Sequence, residues 1–227
     1  MRSPDFSRCR SLVFVALGLA LALAGTASAQ SIRDQLMALS DGLNDPDPII
    51  RIVTYEEAVK SENATIRRVA LRTALQSNDA DLRSLALRGA FAGRETVVFK
   101  LAPSEAYAAA LEAAGDNEKK RQAATKQFRY HQQLGAAYSW TLPLHIEEYD
   151  YDKGTIAGAC MTKMSSPEDR WKFSGTIAGD EIALTLSCYT GGYSACNLAA
   201  ELGEGGTLEG RLSCANNSRA KATLDLL

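Results

Sequence analysis

The sequence predicts an α+β protein of two domains, an antiparallel stack of short helices followed by an antiparallel β sandwich or meander barrel with disulfides. Three observations predict it. An apolar pattern recurs every 16 residues between Asp47 and Phe91, the hydrophobic period changes to two from Tyr138 onward, and every cysteine but Cys9 falls in that second half. The 227 residues are 46% hydrophobic and 23% charged, which excludes a disordered or collagen-like chain.

Residues 1–29 read as a leader. Arg2, Arg8 and Arg10 precede the apolar run Leu12–Gly25, and Thr26-Ala27-Ser28-Ala29 supplies the small-x-small pattern of a cleavage site after Ala29. The run is shorter than the roughly 20 residues a spanning helix needs, so no stable anchor is expected after cleavage. Cys9 lies before the run, where lipoprotein processing would not use it. The chain is therefore expected to be periplasmic or secreted. Without the leader it carries 22 basic and 26 acidic side chains, a balance that does not attract nucleic acid.

A helical repeat domain is expected over residues 30–135. Asp47, Asn63 and Asp79 recur as N-caps, because a side-chain oxygen there accepts an otherwise unpaired backbone N–H. Ile50-Arg51, Ile66-Arg67 and Leu82-Arg83 follow, then Val53, Val69 and Leu85, then Ala58, Ala74 and Ala90. Short helices of this kind bury their stripes only by stacking. The three arginines are expected to organise the helix starts by pairing in the region of Asp47, Glu62 and Asp79, not to form a ligand-binding ladder.

The segment Asp79–Leu87 (acidic cap, small residue, aliphatic–arginine pair, alanine one turn on) resembles the HEAT-type repeat. Asn63–Leu75 is similar, and Asp47–Arg51 departs in having Thr54 where the others carry Ala70 and Ala86. The resemblance implies an antiparallel helical scaffold for protein interaction. Beyond it, Pro103-Ser104 opens an alanine-rich helix to about Ala114, and a polar helix is expected from Asn117 to Leu134, with Phe128, Tyr130 and Leu134 as its packing residues.

The β domain is expected over residues 136–227, with strands near Leu142–Tyr151, Thr155–Met161, Trp171–Ala178, Glu181–Cys188, Ala195–Leu202, Thr207–Cys214 and Arg219–Leu226. Gly-Thr-aliphatic-x-Gly recurs at Gly154–Gly158, Gly175–Gly179 and Gly206–Gly210, and reads as strand-and-turn grammar with glycines at bends. Cys160, Cys188, Cys196 and Cys214 are in phase with buried apolar residues and fall at one rim. An even count in an exported chain favours two disulfides. Cys188–Cys196 with Cys160–Cys214 is the favoured pairing, over Cys160–Cys188 with Cys196–Cys214.

Chemistry-bearing motifs are few. Histidine occurs only at His131 and His145, and no G-x-S-x-G, H-E-x-x-H or Walker sequence is present. Ser218-Arg219-Ala220-Lys221 spells S-x-x-K without the partner motifs of penicillin-binding enzymes. Glu147, Glu148, Asp150 and Asp152 read as the outward acids of a strand; a carboxylate pair there would serve a glycosidase only in a cleft. No cofactor and no metal ligand set is implied. The rim loops are the expected binding surface, through Tyr189, Tyr193, Met161, Met164, Asn216 and Asn217. These observations point to an exported, non-enzymatic binding or adaptor protein for a protein or other envelope ligand. The alternative is a cell-envelope hydrolase or an enzyme inhibitor.

Overall fold

The computed structural model describes residues 32–129, 139–160, 172–187, 195–214 and 218–227. The leader and its cleavage site lie outside them. The chain divides into two compact units, Met1–Ala70 and Leu71–Leu227.

Helix α1 covers residues 32–43, and three further helices of 12 residues each follow: α2 (Pro48–Val59), α3 (Ala64–Leu75) and α4 (Ala80–Phe91). Their starts keep the 16-residue interval because each is capped alike. Asp47 Oδ1 accepts from Ile49 N at 2.9 Å, Asn63 Oδ1 from Thr65 N at 2.9 Å, and Asp79 Oδ1 from Asp81 N at 3.0 Å. Each arginine reaches back to carbonyls of its own entering turn: Arg51 to Asp45 at 2.6 Å, Arg67 to Ser61 at 2.6 Å and Arg83 to Ser77 at 2.9 Å. The arginines thus organise helix starts as expected, but through backbone oxygens. Within the first unit, α1 and α2 pack so closely that a Cβ at Gly42 would overlap the Thr54 side chain.

Eight antiparallel strands close into a meander barrel in chain order: β1 (Thr96–Ala102), β2 (Thr141–Asp150), β3 (Thr155–Cys160), β4 (Lys172–Ala178), β5 (Glu181–Leu186), β6 (Cys196–Leu202), β7 (Thr207–Cys214) and β8 (Ser218–Asp225). Seven of them fall where sequence periodicity puts strands. The eighth, β1, lies inside the segment assigned to helices, and it closes the barrel by pairing Val97 with Leu144 on one side and Leu101 with Ala222 on the other. That closure decides between sandwich and barrel. It also places the start of the barrel at Thr96, well ahead of the boundary expected near Gly135.

Two helices interrupt the barrel between β1 and β2. Helix α5 (Glu105–Ala114) is capped by Ser104, and α6 (Glu118–Gln127) by Asn117. Tyr107 of α5 meets Phe128 just past α6, ring centroids 5.4 Å apart. Helix α6 closes at Gln127, with Phe128 as its C-cap and Ala124 as its buried residue; Tyr130 and Leu134 lie outside the described residues.

The wall alternates, apart from the bulge in β2. Inward positions such as Phe99, Leu144, Phe173, Ile177, Leu184, Leu198 and Leu208 are at most 3% exposed, while outward ones are mostly Thr, Ser, Ala, Lys, Arg and Glu. This is the reverse of a transmembrane barrel, which presents apolar side chains outward. The recurring glycine phrase divides its labour. Gly154, Gly179 and Gly206 sit at positive φ in turns, whereas Gly158, Gly175 and Gly210 face the lumen, where a Cβ would overlap a neighbouring strand's carbonyl.

Candidate functional site

The two ends of the barrel differ. At the end carrying the short turns, Arg83 of α4 grips Asp180 in the β4–β5 turn, with Nη2–Oδ2 2.6 Å and Nε–Oδ2 3.1 Å. Arg88 donates to the Asp152 carbonyl at 3.2 Å, Tyr149 Oη donates to the Arg88 carbonyl at 2.7 Å, and Arg94 donates to the Leu226 carbonyl at 2.6 Å. Helix α4 and its following turn therefore cap this end. Half-burial there pushes the Tyr149 phenol up to about 12, with the neighbouring Tyr151 and Asp150 adding to the rise against an opposing Arg88.

The opposite rim gathers the ends of β1, β3, β5 and β7 and the starts of β2, β4, β6 and β8. Cys196 and Cys214 are joined there, Cα atoms 4.1 Å apart across β6 and β7. This overturns the favoured pairing, because Cys196 is not bonded to Cys188 nor Cys214 to Cys160. The hairpin register explains it: Leu202 opposes Leu208 and Asn197 opposes Ser213, which brings Cys196 opposite Cys214. Cys160 is also disulfide-bonded, to a partner outside the described residues. Tyr189, Tyr193, Met161, Met164, Asn216 and Asn217 likewise lie outside them, as does Cys188. At the same rim Ser139 and Trp140 hold consecutive positive φ angles of 51° and 59°, and the Trp140 carbonyl accepts from Leu101 N at 2.7 Å. Two adjacent non-glycine residues in that region signal local strain.

The four sequence acids do not converge. A bulge at Ile146/Glu148 turns both Glu147 and Glu148 outward, beside a hollow of about 260 Å³ shared with Lys172, Ser174, Thr185 and Ser187. Asp150 is instead held below the usual carboxylate range by Lys153, whose Nζ lies 2.7 Å away at the turn. Asp152 contributes its carbonyl to Arg88. Serines do border the Glu147–Glu148 hollow, but both carboxylates stand exposed on an outer wall, not in the cleft that acid catalysis requires.

A larger groove of about 1090 Å³ runs over the outer faces of β5 to β8, beside Pro103 and Glu105. Register sorts its charges into rows. Glu181, Glu201 and Glu209 oppose one another across β5, β6 and β7, and Arg211 opposes Lys221 one step along. Sequence reading missed these rows, although each glutamate lies close to a turn and the hairpin register was the signal. Among the described residues, no three His, Cys, Asp or Glu side chains are set to hold a metal ion.

No protein-family model matches the chain, and no curated protein matches it in sequence. Among solved structures it is similar to a fatty acid-binding protein from brain tissue of Drosophila melanogaster, with 12% identity over 59% of this chain and 98% of that one and a TM-score of 0.26. Lipid binding protein 8 of Caenorhabditis elegans follows at 13% identity, 57% and 92% coverage and a TM-score of 0.26. Secretory abundant heat soluble protein 4 of Ramazzottius varieornatus stands at 11%, 57% and 91%, and 0.28. Scores of this size carry no argument, and the barrel rests on its own strand register.

Proposed function

We propose that this chain is an exported, non-enzymatic binding protein that takes its ligand at the loop-bearing rim of the barrel, opposite α4. The observation that carries the reading is the asymmetry of the ends: α4 and its turn cap one, and the longer connections all belong to the other. Loops on a rigid scaffold are where recognition concentrates. The Cys196–Cys214 bridge fixes two strand ends at the base of that rim, which reduces the ordering entropy lost on binding. The scattered acids, exposed on the wall and in a turn, favour binding over hydrolysis. The leader pattern supports export.

A photo-cross-linking side chain placed in turn at Tyr189, Tyr193 and Ala183 of the exported protein tests the reading. Adducts of one mass from the two tyrosine positions and none from Ala183, on the outer wall, are expected. Adducts confined to the wall would overturn it.

One observation favours a second reading, in which the ligand has an apolar part that enters the barrel: the lumen positions are apolar throughout the described strands. The same side chains fill that lumen, so entry would require repacking. A fluorescent fatty-acid analogue titrated into the protein distinguishes the two, since saturable binding that survives Tyr189→Ala with Tyr193→Ala would place the ligand inside.

A further inference from the structure

Seven large hydrophobic side chains are exposed among the described residues, and five of them, Ile32, Met37, Ile49, Ile50 and Val53, fall between residues 32 and 53. The barrel wall offers only Val98, and the other is the terminal Leu227. A concentration of this kind marks an interaction surface rather than the scattered apolar residues of an ordinary exterior.

On α2 the three residues make one stripe. Val53 follows Ile49 by four positions and Ile50 by three, on the face opposite buried Tyr55 and Ala58. Ile49 is 69% exposed, Ile50 44% and Val53 47%. The residue that holds the position of Ile50 two repeats later is Leu82, fully buried at 0%. The repeat therefore carries an apolar residue that α4 buries and that α2 leaves exposed.

Charge selects the partner. Glu56 and Glu57 lie one turn beyond Val53 on the same face, and Asp45 and Asp47 precede the stripe. Arg51 is turned back onto the carbonyls of Asp45 and Pro46, which leaves Lys60 as the cation beside the stripe. A second copy would bring acidic ends against acidic ends, and an anionic lipid surface would be repelled. We propose that the α2 face docks an amphipathic helix of a partner protein, apolar along one stripe and lysine- or arginine-rich beside it.

The probe is a fluorescein-labelled amphipathic peptide of about 14 residues, leucines on one stripe and lysines at the flanks, with a glutamate-flanked counterpart. Anisotropy with the full chain should show the lysine peptide bound and the glutamate peptide not, with affinity falling as salt rises. Val53→Lys should weaken binding about tenfold or more, and Val98→Lys should not change it. Far-UV circular dichroism checks the fold, and Ile49→Lys, at the most exposed of the three, serves if Val53→Lys does not fold. Equal binding of both peptides, no binding, or indifference to Val53→Lys and Ile49→Lys would each overturn the proposal. So would Val53-dependent self-association in sedimentation, or Val53-dependent uptake onto phosphatidylcholine vesicles.

Discussion

Glycine does two different jobs in this barrel, and single substitutions separate them. At Gly210 a Cβ would collide with the Ala199 carbonyl and with Ala200 on the paired strand, both backbone-fixed, so Gly210→Ala should cost at least about 2 kcal/mol by denaturant unfolding. At Gly179, φ is +59° but nothing lies within 4 Å, so Gly179→Ala should cost only the left-handed penalty, about 1 kcal/mol. Equal losses would mean that the lumen-facing position is not tight. Tyr149 supplies a titration at the same scale. Burial raises its phenol from 10.0 to about 12, so the unfolded chain loses that proton first as pH rises. The contribution is complete below pH 10 and disappears as pH climbs towards 12. Melting temperature should therefore fall more steeply across that window in the wild type than in Tyr149→Phe, and parallel curves would contradict the assignment.

Among the elements, strands were more legible than their partners. Period-two alternation located β2 to β8 within a residue or two, since one face of each is apolar and the glycine turns are unambiguous. The alternation of β1, with Val97, Phe99 and Leu101 inward, was equally visible, but its partners are β2 and β8, and β8 begins over a hundred residues on. No local feature reports such a pairing. Helix α6 closes at Gln127 with Ala124 as its buried residue, and the rest of the segment expected to be helical, from Tyr130 on, lies outside the described residues. Cysteine phase correctly placed Cys160, Cys196 and Cys214 at one rim, whereas the bridge itself follows from hairpin register, a constraint that residue spacing alone does not express. The site was less legible than the fold, because charge rows such as Glu181, Glu201 and Glu209 exist only once three strands are aligned. The bridge closes a sequence separation of 18, so Cys196→Ser with Cys214→Ser should lower unfolding stability by about 3 kcal/mol. An unchanged denaturation midpoint would show that the eight-stranded closure already fixes these strands.

Closure is a property of the whole barrel, and it determines where the chain can be cut. A fragment from Tyr138 to Leu227 contains seven strands and the Cys196–Cys214 bridge, yet it lacks β1. Without β1, the edges of β2 and β8 are left with unpaired N–H and C=O groups, and Phe99 no longer fills the lumen. A fragment from Leu71 to Leu227 keeps β1 and also α4, with the Arg83–Asp180 pair and the Arg94 contact that cap the turn end. The longer fragment should unfold cooperatively with a β-type circular dichroism spectrum. The shorter one should aggregate or melt without a transition, since an exposed pair of edges templates association between chains. Adding the peptide Thr96–Ala102 to the shorter fragment in excess offers a sharper check, because strand addition would restore the closed sheet through the same backbone hydrogen bonds. If the shorter fragment instead melts as sharply as the longer one, the seven strands form a sufficient core and β1 is an accessory to the barrel.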